Sequence, residues 1–534
     1  MKISYALQNL RSLTCTPDIE LRPITILVGR NSAGKSTFLR SLALLRQSLE
    51  AKSSAPILWY GDYVDFGDFS SAVSHRNLEK EVSFRFVAED FSVRSKEPDY
   101  LYFYREPSYF SSRRSAREYS RICLTISLGE QQGRTVRRTI ELEDISHNIF
   151  LEAVFEKYGR IAEKFLVNGV DLGELLPSHS VFFDSSDIFS SGTLTALTRS
   201  ENRSMRRVVN PISSFSSYIS GLLKPYVNGR IRSDNIEYEA RRILHNPVLN
   251  AEILIDRSNN ARTVSFKNLY KNLADGRFPD LLHKLNIACA MNYTLQAIGD
   301  SGEFFRQFFV KTTYLGPARA RSERYYRFQE LEVAEISPDG RNLPMFLASL
   351  PQGQLRAFSD WVEVLFGFGV GIQKSEGHIS IQLKREDLDV NAADTGYGVS
   401  QLLPVLAQIW WASKANIGRG GVMQSGPALH PITMEQPELH LHPAHQAQLA
   451  DALLNALPSS DESSPISPVF VVETHSETLI NRLGELIEEK KLSEKDVQIV
   501  IFSGDQEPGS TKIETSSYDS EGVLTSWPFG FFSY

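Results

Sequence analysis

The residues with the most chemical promise are Gly29 to Thr37, GRNSAGKST. They satisfy G-x-x-x-x-G-K-[ST], with Gly29, Gly34, Lys35 and Ser36 at the fixed positions. Glycine is needed where a backbone curls so that successive N–H groups face one anion. Arg30, Asn31, Ser32, Ala33 and Thr37 complete that cradle. Lys35 then reaches the terminal phosphates of a nucleotide as a point charge, and Ser36 offers its hydroxyl to Mg²⁺. The preceding PITILVG is short, apolar and β-branched, while KSTFLRSLALLRQSL repeats apolar residues at helical spacing. A strand, a glycine loop and a helix in that order separate a phosphate loop from a chance glycine turn. The helix also directs its positive N-terminal end at the anion.

A second group lies in ITMEQPELHLHP, Ile432 to Pro443. Glu435 ends an apolar strand and resembles the acidic residue that holds Mg²⁺ through its waters in ATP-binding-cassette heads. Ser36 and Glu435 are therefore the expected metal-side residues. Gln436 stands where a general base is wanted, and an amide orients water without accepting its proton. Glu438 or His475 is expected to assist slow hydrolysis, and His475, at the end of PVFVVETHS, resembles the switch histidine that senses the terminal phosphate in ATP-binding-cassette heads. Glu473 and Thr474 lie on the same rim. In DTGYGVSQLLPVL, Gly398, Ser400 and Gln401 stand near the start of a helix. Alone that is a helix cap after a turn. Beside a phosphate loop it is a second positive helix end for the same anion. His440, His442 and His445 suggest zinc, but no cysteine lies nearby and no H-E-x-x-H register is present. They fit a turn or an inter-subunit loop better, with Pro443 opening a helix.

These groups need a sheet to position them. Residues 1 to about 90 read as strands and one helix, and from about 311 short apolar runs alternate with helices, which implies a largely parallel sheet. Between them, 91–310 reads as a mixed α/β insert with surface segments rich in Ser and Arg. There NIFLEAVFEKYGRIAEKF, EYEARRILHN and FPDLLHKLNIACAMNYTLQAIG have helical character. The expected organisation is thus an α/β head of mixed, largely parallel sheet flanked by helices, split as 1–90 and 311–534 around the insert.

Composition narrows the classes. The net charge is −7 with a pI near 6.0, which argues against a protein that coats nucleic acid through general basicity. The three cysteines are far apart, so a reducing cytoplasm fits better than a disulfide framework. No apolar run is long enough to span a bilayer, and MKISYALQNLRS lacks the apolar core of a signal peptide.

The order phosphate loop, GYGVSQ helix, ITME strand and VVETHS strand resembles the ATP-binding-cassette (ABC) class of heads, as in SMC, Rad-type and RecF-type proteins. The match extends through NLRSL, WYGDYVDFGDFSSAV, YLGPARARSERYYRF, MEQPELHLHPAHQAQLADAL, THSETLINRL and EGVLTSWPFGFF. Together these resemble the bacterial AAA-type, OLD-like ATPases with ABC-class heads and a W-P-x-G-F-F tail. In size and layout the chain is most similar to the PtuA-type ATPases of Septu and retron-associated antiphage defence. The resemblance implies ATP and Mg²⁺ as cofactors. It also implies a homodimer, or larger assembly, closed by ATP between heads, with the Gly398–Ser400–Gln401 helix start touching the partner's nucleotide. It further implies an HNH-type effector nuclease as partner and, in the retron form, a reverse transcriptase with its RNA–DNA hybrid. OLD-like nucleases carry a Toprim domain with a D-x-D pair. No D-x-D follows His475, so cleavage of nucleic acid is not expected from this chain. A RecF- or SMC-like repair ATPase and a self-sufficient nuclease are the alternatives, and the insert shows no long heptad arms.

Arg319, Arg321, Arg324 and Arg327 surround Tyr325 and Tyr326 in ARARSERYYRF. Such a cluster either grips a phosphate backbone or pairs with the chain's own acids. Arg113, Arg114, Arg117, Arg121, Arg203, Arg206 and Arg207 raise the same choice. The tail residues Trp527, Phe529, Phe531 and Phe532 are expected to anchor the chain end.

Overall fold

The computed structural model describes residues 1–94, 116–200, 203–330, 333–385, 388–414, 428–458, 466–504 and 511–526. Arg113, Arg114 and the W-P-F-G-F-F tail lie outside them. The chain divides into two compact units. One comprises Lys2–Ala51, Leu58–Asn77 and Gln307–Tyr534, and the other chiefly Leu78–Arg306.

The first unit is built on a six-stranded sheet. Its strands are β1 (Ile24–Gly29), β2 (Thr313–Leu315), β3 (Ala428–Glu435), β4 (Ile466–Glu473), β5 (Val497–Gly504) and β6 (Thr511–Ser516). In space they run β2-β3-β4-β1-β5-β6. All neighbours are parallel except β5 and β6. Parallel strands need crossovers, and here they are helices: α1 (Lys35–Glu50), α2 (Tyr397–Lys414), α3 (Pro443–Ala456) and α4 (Glu477–Glu488). β1 is buried at every position, as its unbroken apolar run requires. On one face Ile24, Ile26 and Val28 join a core with Leu402 and Leu406 of α2, Leu449 and Leu453 of α3, and Leu479 and Leu483 of α4. On the other face Phe38 of α1 meets Phe502 of β5, ring centroids 6.1 Å apart. The parallel sheet therefore brings the carboxyl ends of β3, β4 and β1 side by side, with Glu435 opposite Glu473 and Glu473 opposite Leu27. A smaller antiparallel sheet, Tyr326–Arg327, Gly369–Ser375, His378–Arg385 and Leu388–Asn391, belongs to the same unit. No described helix is long and apolar enough to cross a membrane.

The second unit is largely antiparallel. Val82–Arg94, Ala116–Gln131, Arg134–Asp144, Ile149–Phe155, Ala162–Val167 and Val170–Asp171 pair with their sequence neighbours. A three-stranded sheet, His179–Phe182, Thr193–Ser200 and Arg203–Val208, precedes a run of helices that includes Ser233–Ile243. One expectation fails here. NIFLEAVFEKYGRIAEKF is a hairpin and not a helix: Ile149, Leu151, Ala153 and Phe155 are buried at every second position, and Gly159 turns the chain at φ 66°. In the partner strand Arg134–Asp144, Arg137 is fully buried and donates to the carbonyls of Gly159, Asp184 and Asp187.

One glycine couples fold to site. Gly29 has φ 151°, and a Cβ there would stand 2.2 Å from the Phe502 carbonyl oxygen of the paired strand. Gly29→Ala is expected to lower unfolding stability by roughly 3 kcal/mol. Urea denaturation measures this; a loss near zero would show that β1 and β5 yield at this point.

Candidate nucleotide site

The loop after β1 is shaped by backbone conformations that few residues adopt. Ser32 has φ 64° and Gly34 has φ 93°. A Cβ on Gly34 would come within 2.6 Å of Leu13 Cδ2. Gly34 caps α1 with no side chain over the helix end, and its carbonyl accepts the first helical N–H, from Phe38, at 2.9 Å. The N–H groups of the first turn are thus left for a ligand. Arg30, Asn31 and Ser32 are exposed, while Ala33, Gly34, Lys35 and Thr37 are buried. Lys35 Nζ donates to the carbonyls of Gly29 and Arg30, both at 2.9 Å. Burial holds its ammonium pKa below the ordinary range, against the pull of Glu473.

Glu473 meets the loop directly. Ser36 Oγ donates to its Oε2 at 2.7 Å, and Lys35 Nζ lies 3.7 Å from its Oε1. Burial pushes this carboxyl above its usual range. Glu435 is held elsewhere. Arg40 donates to it through Nε at 2.6 Å and Nη2 at 2.8 Å, and the Tyr314 hydroxyl adds a third bond at 2.8 Å. The fork holds the Arg40 guanidinium above its ordinary pKa. Glu435, the carboxylate expected at the metal, is therefore held by Arg40 and Tyr314, and the carboxylate on the Ser36 hydroxyl is Glu473.

Beyond β3 the chain turns sharply. Gln436 is left-handed at φ 44°, and its N–H donates to the Glu473 carbonyl at 2.8 Å. Glu438 is buried, and its Oε1 accepts the His475 backbone N–H at 2.7 Å. It joins the loop after β3 to the loop after β4. His475 stays exposed at the rim, and partial burial with the Lys35 charge lowers its pKa, which favours the neutral ring. His442 caps α3, which opens on Pro443. His440 is exposed beside Tyr397, ring centroids 4.8 Å apart. No group of three or more metal-ligating side chains occurs among the described residues.

The helix start at Gly398, Ser400 and Gln401 packs beside the turn that follows β3. It is tied to β3 through Arg319, whose guanidinium donates to the carbonyls of Glu435 at 2.9 Å, Gln436 at 2.7 Å and Gln401 at 3.3 Å. Gln401 returns a bond to the Arg319 carbonyl at 3.0 Å. Gly398 lets this helix approach closely, since a Cβ would stand 2.8 Å from the His440 carbonyl oxygen. Arg319 thus leaves the surface cluster read from ARARSERYYRF: it is buried, which brings its guanidinium down to about 10. Arg324 pairs with Asp394, and Arg321 lies over the Tyr397 ring.

Sequence reasoning missed Arg40, Tyr314 and the structural use of Arg319. Arg40 carried a signal, since it lies four residues after Ser36 and so on the same helical face. Arg319 and Tyr314 carried none, because their partners are distant in sequence.

The AAA ATPase domain family model matches residues 340–480, which contain the α2 start, Glu435, Gln436, Glu438 and His475. No curated protein matches the chain. Among solved structures, the Smc head domain of Pyrococcus furiosus with an extended coiled coil, bound to the C-terminal domain of ScpA, has 11% identity and a TM-score of 0.34. It covers 96% of each chain. The SMC head domain of Thermotoga maritima has 9% identity and a TM-score of 0.32, covering 96% of this chain and 98% of that one. Likeness at this level carries no argument of its own.

Glu438 allows a pH test. Burial raises its folded-state pKa above that of the unfolded chain, where a glutamate titrates at about 4.3. A raised value means the contribution to stability is complete below the unfolded pKa and is lost as pH rises through the folded one. Glu438→Gln keeps the acceptor for the His475 N–H and removes the titration. The variant should gain on its parent between pH 4 and pH 8 in denaturation profiles. Parallel profiles would show that Glu438 stays ionised at no cost.

Proposed function

We propose that the chain is an ATP-binding, slowly hydrolysing ABC-class ATPase. The observation that carries the reading is the loop Gly29–Thr37 at the carboxyl end of a parallel strand, with Lys35 and Ser36 facing the carboxylate of Glu473. Nucleotides bind at that edge of open α/β sheets, and the family match over 340–480 supports the same chemistry.

Each residue then has a task. The loop amides and Lys35 bind the β- and γ-phosphates. Ser36 and a neighbouring carboxylate fit the needs of Mg²⁺, an ion that keeps most of its waters and takes few protein ligands. Bound there, the ion would neutralise phosphate charge. Gln436, in its left-handed turn, orients the attacking water but accepts no proton. Glu438 holds the His475 backbone in place at the rim. A site that orients water without a strong base suits holding a state better than rapid cycling.

In the dimer we propose, Gly398, Ser400 and Gln401 of one head close on the nucleotide of the other. Arg319 supports this role, because it links that helix start to the turn at Gln436. We propose further that the closed dimer serves antiphage defence by scaffolding and controlling a toxic effector of the HNH nuclease type, with a reverse transcriptase and its RNA–DNA hybrid as further partners. This rests on the resemblance of the quoted motifs to PtuA-type ATPases.

Two outcomes are expected. Gln436→Glu should raise steady-state ATP turnover by about tenfold or more, as a positioned base contributes; a parent that already turns over many times per second contradicts the weak-hydrolase reading. ATP with Mg²⁺, but not ADP, should double the mass measured by light scattering. A mass indifferent to nucleotide removes the head-closure model.

A further inference from the structure

We propose that Glu473, and not Glu435, is the carboxylate that serves the divalent cation of the bound nucleotide, while Glu435 anchors the structure beneath it. This rests on the ATP reading above and reverses the assignment of the cation to Glu435 that the sequence led one to expect.

The first argument is topology. β4 lies between β3 and β1, so Glu473 ends the strand next to the phosphate loop and Glu435 the strand beyond. Neighbouring strands are about 4.8 Å apart. The second is contact. Ser36 is the hydroxyl that phosphate-loop chemistry gives to the cation, and it donates to Glu473 at 2.7 Å. Lys35, which that chemistry gives to the phosphates, is 3.7 Å from the same carboxylate.

The third argument is capacity. A carboxylate offers about four lone-pair sites. Glu435 already accepts three bonds, two from the Arg40 fork and one from Tyr314, and its charge is matched by that guanidinium. To serve a cation it would abandon a half-buried fork and leave Arg40 unmatched. Glu473 accepts one bond from Ser36 beside a loose contact with Lys35, so its second oxygen is available. It is also 4% exposed, so its charge needs a counter-charge within the site.

A coupling follows. Without nucleotide, Lys35 is the cation nearest Glu473. When Lys35 turns to phosphate oxygens, Glu473 loses that partner, and the divalent ion takes its place as counter-charge. Metal and nucleotide then bind cooperatively through this one carboxylate.

The test is a titration of a fluorescent ATP analogue against the full chain, in excess Mg²⁺ and in chelator, for the parent, Glu473→Gln, Glu435→Gln and Tyr314→Phe. In the parent Mg²⁺ should tighten binding by roughly tenfold or more. Glu473→Gln should bring that ratio near one, with metal-free affinity unchanged or tighter, because a negative charge beside Lys35 is gone. Mn²⁺ added to Glu473→Gln with nucleotide should show a weakened protein-bound signal in magnetic resonance. Glu435→Gln should keep the ratio and melt at a lower temperature. Should that variant not fold, Tyr314→Phe, which only loosens Glu435, is expected to keep the ratio as well. The proposal is overturned if Glu473→Gln retains the ratio, if Glu435→Gln or Tyr314→Phe loses it, or if the parent shows no metal effect on nucleotide binding. A parent that binds no nucleotide at all defeats the ATP reading itself, a separate and recognisable result.

Discussion

The fork from Arg40 to Glu435 is the interaction on which the rest of the site depends. It ties the helix that follows the phosphate loop to the end of β3, with Tyr314 of β2 closing the third side. Glu435 is buried, and a guanidinium and a hydroxyl supply its counter-charge and hydrogen bonds. Loss of one partner in such a pair costs about 3 kcal/mol or more. From this fixed point the loop is held on one side and the turn at Gln436 on the other. The carbonyls of Glu435 and Gln436 then face Arg319, which carries the constraint to the start of α2. The order phosphate loop, fork, turn and helix start is continuous in space though scattered along the chain.

Electrostatics divides the work among three acids. Glu435 is matched by the Arg40 fork and the Tyr314 hydroxyl. Glu473 is buried beside Lys35 and Ser36 and keeps capacity for another positive charge. Glu438 is buried with one oxygen on the His475 backbone, and burial raises its pKa. None of the three is placed as the residue after β3 would be, and that residue is an amide. That amide accepts no proton, whereas charge matching and orientation are supplied by the groups around it.

Much of this was legible in the sequence, for a definable reason. Local patterns encode local structure: the glycine positions of the loop, the apolar β1 and the helix opened by Pro443 all follow from neighbours in the chain. The parallel sheet followed from alternation of strands and helices. What was not legible depends on partners far away. Arg319 looked like a surface cation because its carbonyl partners lie on β3 and α2. The contact of Ser36 with Glu473 was hidden because sequence order does not say which strand lies beside the loop. NIFLEAVFEKYGRIAEKF looked helical because its residues have good helix propensity, and pairing with Arg134–Asp144 overrode it.

The central claim is that Lys35 and its loop hold ATP. Isothermal titration of the full chain with ATP and Mg²⁺ tests it most directly, with Lys35→Ala as the control. The account predicts one nucleotide per chain for the parent and binding lost or weakened by at least about a hundredfold in the variant. No heat of binding in a folded parent, or equal affinity in Lys35→Ala, would contradict it.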